Sequence, residues 1–158
     1  MNIEGKTIWQ VAAGNGNNTH YAKQCLEQNA VMIGPGHYGA WPECEQPMRA
    51  DGLTARNVGM VRRFATEMKA GHLVVLRVGT KEVYGVGALV STYDWSEKFA
   101  NVQDWDLQHF WRVHWLWHQN GEPKTFSAYA LNLGNRVQYL NPNALEVRRW
   151  LTSLSVNE

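Results

Sequence analysis

Two apolar stretches, residues 72–78 and 82–90, read as long strands joined by the tight turn Gly79-Thr80. The second carries Gly85 and Gly87, which fall on one face of a pleated strand. Glycine weakens a strand. Two on one face predict that another backbone, a helix or a ligand lies close against the sheet there. A hairpin of this kind demands a sheet with something packed on it, and the rest of the chain must supply both.

The flanking segments do so in an irregular order. Residues 7–13 predict a strand and 21–28 a short helix, with Asn18 or Thr19 available as cap. Residues 30–33 predict a buried strand that stops at Gly34-Pro35-Gly36, and 35–53 a long loop rich in Gly, Pro, Glu and His. Thr54 can cap a helix over 56–69, with Val58, Val61, Ala65 and Met68 as its buried stripe and Gly71 just past its end. Residues 108–117 predict another strand, Asn120-Gly121 a turn, and 126–133 and 137–140 weaker strands. A last helix over 143–153 has Asn141 as cap and Pro142 at its first position. Strands and helices do not alternate regularly. The order suits an α+β domain whose strands form a curved or barrel-like sheet with flanking helices.

With 158 residues, 44% of them hydrophobic, the whole chain 1–158 reads as one domain with a real core. A net charge of +1 excludes a broadly basic coat, so nucleic-acid affinity must come from a local patch or a pocket. No apolar run approaches the roughly 20 residues of a membrane span. The segment 1–6 is polar, without the apolar region of a signal peptide, and Cys25 and Cys44 have no metal-type spacing. The expectation is a cytoplasmic protein with reduced thiols.

Tryptophan is over-represented, with eight residues. Trp111, Val113, Trp115 and Trp117 alternate and are expected on one core-facing side of a strand. Trp150 shares a helical face with Val147, Leu151 and Leu154 and is assigned to core. Trp41 and Trp95 lie among Gly, Pro, Asp and Ser, where no periodicity demands burial, so a ligand role competes with a packing one.

Catalytic patterns are weak. Glu122-Pro123-Lys124, with Asp104 and Asp106 upstream, could hold magnesium and organise a water in a nuclease, but the proline breaks the strand that such a site wants. His114 and His118 are four apart, with His109 nearby. The alternation around them argues for a strand, which separates them, so no metal is expected. Gly14-Asn15-Gly16 lacks the remaining residues of a dinucleotide or P-loop fingerprint, and no nucleophile elbow is present. No cofactor is expected. A binding reading remains. A pocket where the first strand and the long hairpin strand both end would offer Asn15, Asn17 or Asn18 to a base edge and Tyr38, Trp41, Tyr93 and Trp95 as ring faces. Arg49, Arg56, Arg62, Arg63 and Lys98 are candidate phosphate contacts, and a solvated surface is the plainer role for Arg62 and Arg63.

Several segments in order, Ile8-Trp9-Gln10-Val11-Ala12-Ala13-Gly14, Val31-Met32-Ile33-Gly34-Pro35-Gly36, Gly71-His72-Leu73-Val74-Val75-Leu76 and Tyr84-Gly85-Val86-Gly87-Ala88-Leu89-Val90, resemble the EVE domains of the PUA-like superfamily. Tyr93-Asp94-Trp95 and Trp105-Asp106-Leu107-Gln108-His109 fit the same group, so the resemblance spans roughly residues 7–118. It is nearest to the EVE modules of modification-dependent restriction systems, which sit beside an HNH nuclease or a McrB-type motor in the same or a partner chain. The resemblance implies a non-catalytic domain of phage defence. Such a domain takes a modified DNA base, 5-methylcytosine or 5-hydroxymethylcytosine, into an aromatic pocket by base flipping. It places Asn15 and Asn17 at the base edge, Tyr93 and Trp95 at a cage wall, and Ile33 at the head of the glycine motif. Many relatives have tryptophan where this chain has Pro35, so the resemblance leaves Tyr38 or Trp41 to replace that wall. The related modified-RNA binders are the alternative that this resemblance carries.

Overall fold

A computed structural model describes residues 1–14, 20–131 and 135–156. The strands are β1 (Ile8–Ala12), β2 (Ala30–Ile33), β3 (Leu73–Val78), β4 (Glu82–Leu89), β5 (Asp94–Trp95), β6 (His109–His118), β7 (Lys124–Thr125) and β8 (Val137–Tyr139). The helices are α1 (His20–Glu27), α2 (Glu45–Ala50), α3 (Ala55–Thr66) and α4 (Leu145–Ser153), with a 3-10 turn at Glu97–Phe99. Six strands run in the order β2-β6-β4-β3-β1-β8, while the short β5 and β7 pair with β6 and β4. The sheet curls strongly into a half-barrel. The α+β class and the curved sheet with flanking helices are therefore as expected.

Burial on both faces explains why β1, β2 and β3 are almost wholly apolar, with Gln10 and Arg77 the buried exceptions. One face carries Trp9, Val11, Val74, Leu76 and Trp111, covered by Tyr21 and Cys25 of α1, Met48 of α2 and Phe64 of α3. The other carries Ile8, Leu73, Val75 and Val86 under Val147 and Leu151 of α4. Thr54 caps α3, its hydroxyl accepting the Asn57 N–H at 3.2 Å. Cys25 and Cys44 are buried and unpaired. Among the described residues no helix is long and apolar enough to cross a membrane.

The bare patch on β4 has a concrete occupant. A Cβ on Gly87 would lie 2.3 Å from Cγ1 of Val113, and one on Gly85 would lie 2.9 Å from the Trp115 ring and 3.0 Å from Leu26 of α1. Neighbouring protein, not ligand, fills the space.

Four expectations need correction. The 35–53 segment is not all loop, because α2 forms within it. Six residues with a proline inside give no readable period, yet Pro47 falls in the first turn, where its missing N–H has no helical acceptor. Trp117 does not share a face with Trp111, Val113 and Trp115. The pairing of β6 with β4 slips between Val86 and Gly87, the extra residue is Leu116, and Trp117 turns to the other face against Trp150 (ring centroids 4.8 Å apart). Residues 126–131 form a turn, with the Ala130 N–H donating to Ser127 O at 3.1 Å, rather than a strand. Asn141 does not cap α4 directly. Its side chain accepts the Asn143 N–H at 2.8 Å in the turn before the helix. The caps proposed at Asn18 and Thr19 lie outside the described residues.

Candidate functional site

β1 lies parallel to β3, and β3 is antiparallel to β4. The C-terminal end of β1 therefore meets the end of β3 at Arg77, whereas the C-terminal end of β4 lies at the opposite rim of the sheet. The ends of β1 and β4 are thus not neighbours along the sheet, and Asn15, Asn17 and Asn18, which would complete the pocket the sequence suggested, lie outside the described residues. The two rims carry different constructions.

At the rim beyond β5, the predicted ring residues hold a loop in place. Three hydrogen bonds run in series. The Trp41 backbone N–H donates to the Tyr93 hydroxyl (3.0 Å), that hydroxyl lies 2.6 Å from His109 Nδ1, and His109 Nε2 lies 3.2 Å from Pro35 O. A carbonyl only accepts, so Nε2 carries the ring proton and Nδ1 accepts from Tyr93. Burial pulls the His109 imidazole down to about 4, which keeps this neutral tautomer in place. Burial likewise pushes the Tyr93 hydroxyl up to about 12. The Trp95 indole N–H donates to Gly36 O at 2.7 Å. Tyr38 donates to the Asp51 carboxylate, and its ring leans on His37. The polar atoms of Tyr93 and Trp95 are thus engaged with the loop that follows β2. Ile33 is 1% exposed and belongs to the core, so it cannot wall a pocket. Gly34 and Gly36 serve close packing, since a Cβ at either would lie 2.0 Å from Asp106 O or 2.1 Å from Gln108 Oε1.

At the other rim a cavity of about 410 Å³ opens where β1 ends. It is lined by the small residues Ala12, Gly14 and Gly79, the aromatic Tyr21 and Trp105, and the arginines Arg77 and Arg136. Each is placed by a definite local feature. Tyr21 comes from the first turn of α1, its hydroxyl donating to Met32 O. Trp105 sits edge-on to Tyr21, with centroids 5.3 Å apart. It is presented by a two-residue turn in which Gln103 and Asp104 have φ of 50° and 72°, closed by reciprocal bonds between Val102 and Trp105. Arg77 is 3% exposed in a strand whose other residues are apolar. It donates from Nη1 to Gly79 O (2.7 Å) and from Nη2 to Asn135 O (3.3 Å). Arg136 donates from Nη2 to Gly34 O at 3.1 Å.

Asn15 and Asn17, the predicted base-edge residues, lie outside the described residues. Of the predicted phosphate contacts, Arg56 is the one beside this cavity. It donates to Asn135 Oδ1 at 2.9 Å and lines an adjoining hollow that shares Arg136. Arg49 pairs with Glu45 (2.9 Å), Arg62 with Glu67 (3.5 Å), and Lys98 lies over the Phe99 ring. Arg63 does not point to solvent as expected. It bridges α3 to β8 by donating to Val137 O, with Nη2 buried. Glu122 and Lys124 sit in the turn after β6 and in β7, where Lys124 lies over the Phe126 ring. Asp106 is engaged elsewhere, by His37 Nδ1 at 2.6 Å and the Gly36 N–H at 3.1 Å. Among the described residues no cluster of His, Cys, Asp or Glu could hold a metal ion.

Trp105, Tyr21, Arg77 and Arg136 were not among the predicted site residues. Two of them carry a signal in the sequence. Trp105 is an isolated ring in the polar run Gln103-Asp104-Trp105-Asp106, and Arg77 is a lone charge in Leu73-Val74-Val75-Leu76-Arg77-Val78.

Residues 9–138 match the model of a family described as a domain of unknown function (DUF8426), and the chain belongs to that family. No curated protein matches the chain.

Proposed function

We propose that this DUF8426 domain is a non-catalytic reader of modified DNA. It would hold an everted modified base, 5-methylcytosine or 5-hydroxymethylcytosine, in the cavity at the end of β1. The observation that carries the reading is that two aromatic residues, Tyr21 and Trp105, and two arginines, Arg77 and Arg136, line one hollow of about 410 Å³. That volume lies in the range of small-ligand sites. Rings that stack and arginines that donate are what recognition of a nucleobase requires. The resemblance to EVE modules supports the same reading. It also supplies the setting: a cytoplasmic restriction system in which a nuclease of the HNH type, or a McrB-type motor, acts in the same or a partner chain.

In this reading Trp105 stacks on the base. Arg56, at the mouth beside Asn135, meets the backbone. A base–aromatic stack contributes about 1–3 kcal/mol, enough to offset much of the cost of unstacking. The test is a set of matched duplexes carrying cytosine, 5-methylcytosine, 5-hydroxymethylcytosine or N6-methyladenine, with RNA counterparts. Tighter binding of one modified cytosine, reduced about tenfold or more in Trp105→Ala, is the expected result. Equal binding of all four DNA duplexes would defeat the reading. A preference for the RNA series would transfer the site to modified RNA.

A further inference from the structure

We infer that the cavity at the end of β1 takes its ligand with an anionic oxygen group set against Arg77 and Arg136. The inference rests on the base-pocket reading and narrows it.

The charge arrangement is unusual. Arg77 is 3% exposed, and Arg136 is half-buried beside it. Both guanidinium groups hydrogen bond to neutral carbonyls, Gly79 O and Asn135 O for Arg77 and Gly34 O for Arg136. Nε of Arg77 is buried with no partner among the described residues. No described carboxylate forms an ion pair with either arginine. The acid nearest in sequence, Asp106 next to Trp105, directs its carboxylate to His37 and the Gly36 N–H instead.

Arginine retains its proton when buried, so two positive charges line one hollow without a described counter-charge. A buried cation is stable only when something compensates it, and carbonyl dipoles do so in part. They also fix the planes of the guanidinium forks, the arrangement that suits a planar or tetrahedral oxyanion. With Trp105 beside them, the matching ligand is a flat ring that carries, or is joined to, an oxyanion. Two sources fit that chemistry. One is a carboxylate on the base itself, as in 5-carboxylcytosine. The other is the phosphate next to the everted nucleotide.

Two binding comparisons separate them. The first sets a duplex with one 5-carboxylcytosine against the same duplex with 5-methylcytosine. The second sets the 5-methylcytosine duplex against one in which a neutral methylphosphonate replaces the phosphate flanking the modified nucleotide. A change of about tenfold is expected in the first if the base bears the oxyanion, and in the second if the backbone does. In either case Arg136→Gln should collapse the ratio to less than about twofold, whereas Arg136→Lys should keep part of it. Arg77→Gln makes the same test at the buried position, and if it fails to fold the Arg136 pair decides alone. Tight 5-methylcytosine binding with both ratios under about twofold would overturn the oxyanion and leave the base reading standing. A large ratio that persists in Arg136→Gln would place the oxyanion elsewhere and overturn it too. Failure of every modified duplex to bind would remove both.

Discussion

Trp95 and Trp105 occupy similar polar stretches, and only their partners tell them apart. The Trp95 indole N–H finds Gly36 O, while Trp105 stands at the edge of a cavity against Tyr21. That each is an isolated tryptophan in a polar run was legible in the sequence. Which one has its donor taken by a loop carbonyl was not, because that depends on a contact between segments remote in the chain. His109 shows the same limit. As a sequence it belonged to a doubtful metal set; in the fold it is fully buried between Tyr93 and Pro35. Its consequence is a pH dependence. The folded ring titrates near 4 and a free one near 6.5, so between those values the unfolded chain binds the extra proton. The stability contributed by the neutral ring is complete above about pH 6.5 and is lost as pH falls towards 4, a change of about 3 kcal/mol. Urea unfolding at pH 7 and pH 4.5 should show wild type losing clearly more stability than His109→Gln. Parallel losses would show that His109 does not set the acid limit.

Among the elements, β4 shows how a local sequence rule succeeds while the wider layout stays hidden. The two glycines announced a close approach, and Val113, Trp115 and Leu26 make it. Gly87→Ala would push a methyl group to 2.3 Å from Val113 and 2.9 Å from His114 O, the latter backbone that cannot swing aside. We expect a loss of about 1–3 kcal/mol in thermal or denaturant unfolding, and an unchanged midpoint would mean that the sheet is looser than described. What β4 could not reveal is its direction relative to β1. Hydrophobic pattern is the same for parallel and antiparallel neighbours when both faces are buried. Hence the sequence joined the ends of two strands that lie at opposite rims. The slip at Leu116 was equally silent, since alternation along β6 continues on paper through the point where the pairing skips a residue.

For the molecule as a whole, the α+β class and the single curved sheet followed from element order, and apolar runs marked the strands buried on both sides. The cavity did not follow. It is assembled from the end of β1, the start of α1, the end of β3, the turn before β6 and the residue before β8, five places that only the curled sheet brings together. Core and site are separable by mutation. Trp111, 4% exposed with its indole N–H donating to Phe64 O, ties β6 to α3, so Trp111→Ala should cost about 3–5 kcal/mol of stability. A small loss there would mean that α3 is not anchored through β6. Trp105→Ala, at the cavity edge, should act on binding instead. The central claim, that this edge meets the base, is tested most directly in the indole N–H region of a nitrogen-correlated NMR spectrum, where the eight tryptophans can be followed at once. With the Trp105 peak assigned by Trp105→Phe, titration with a 5-methylcytosine duplex should shift that peak most and leave Trp95 and Trp111 nearly still. A spectrum in which Trp95 moves and Trp105 does not would contradict the account.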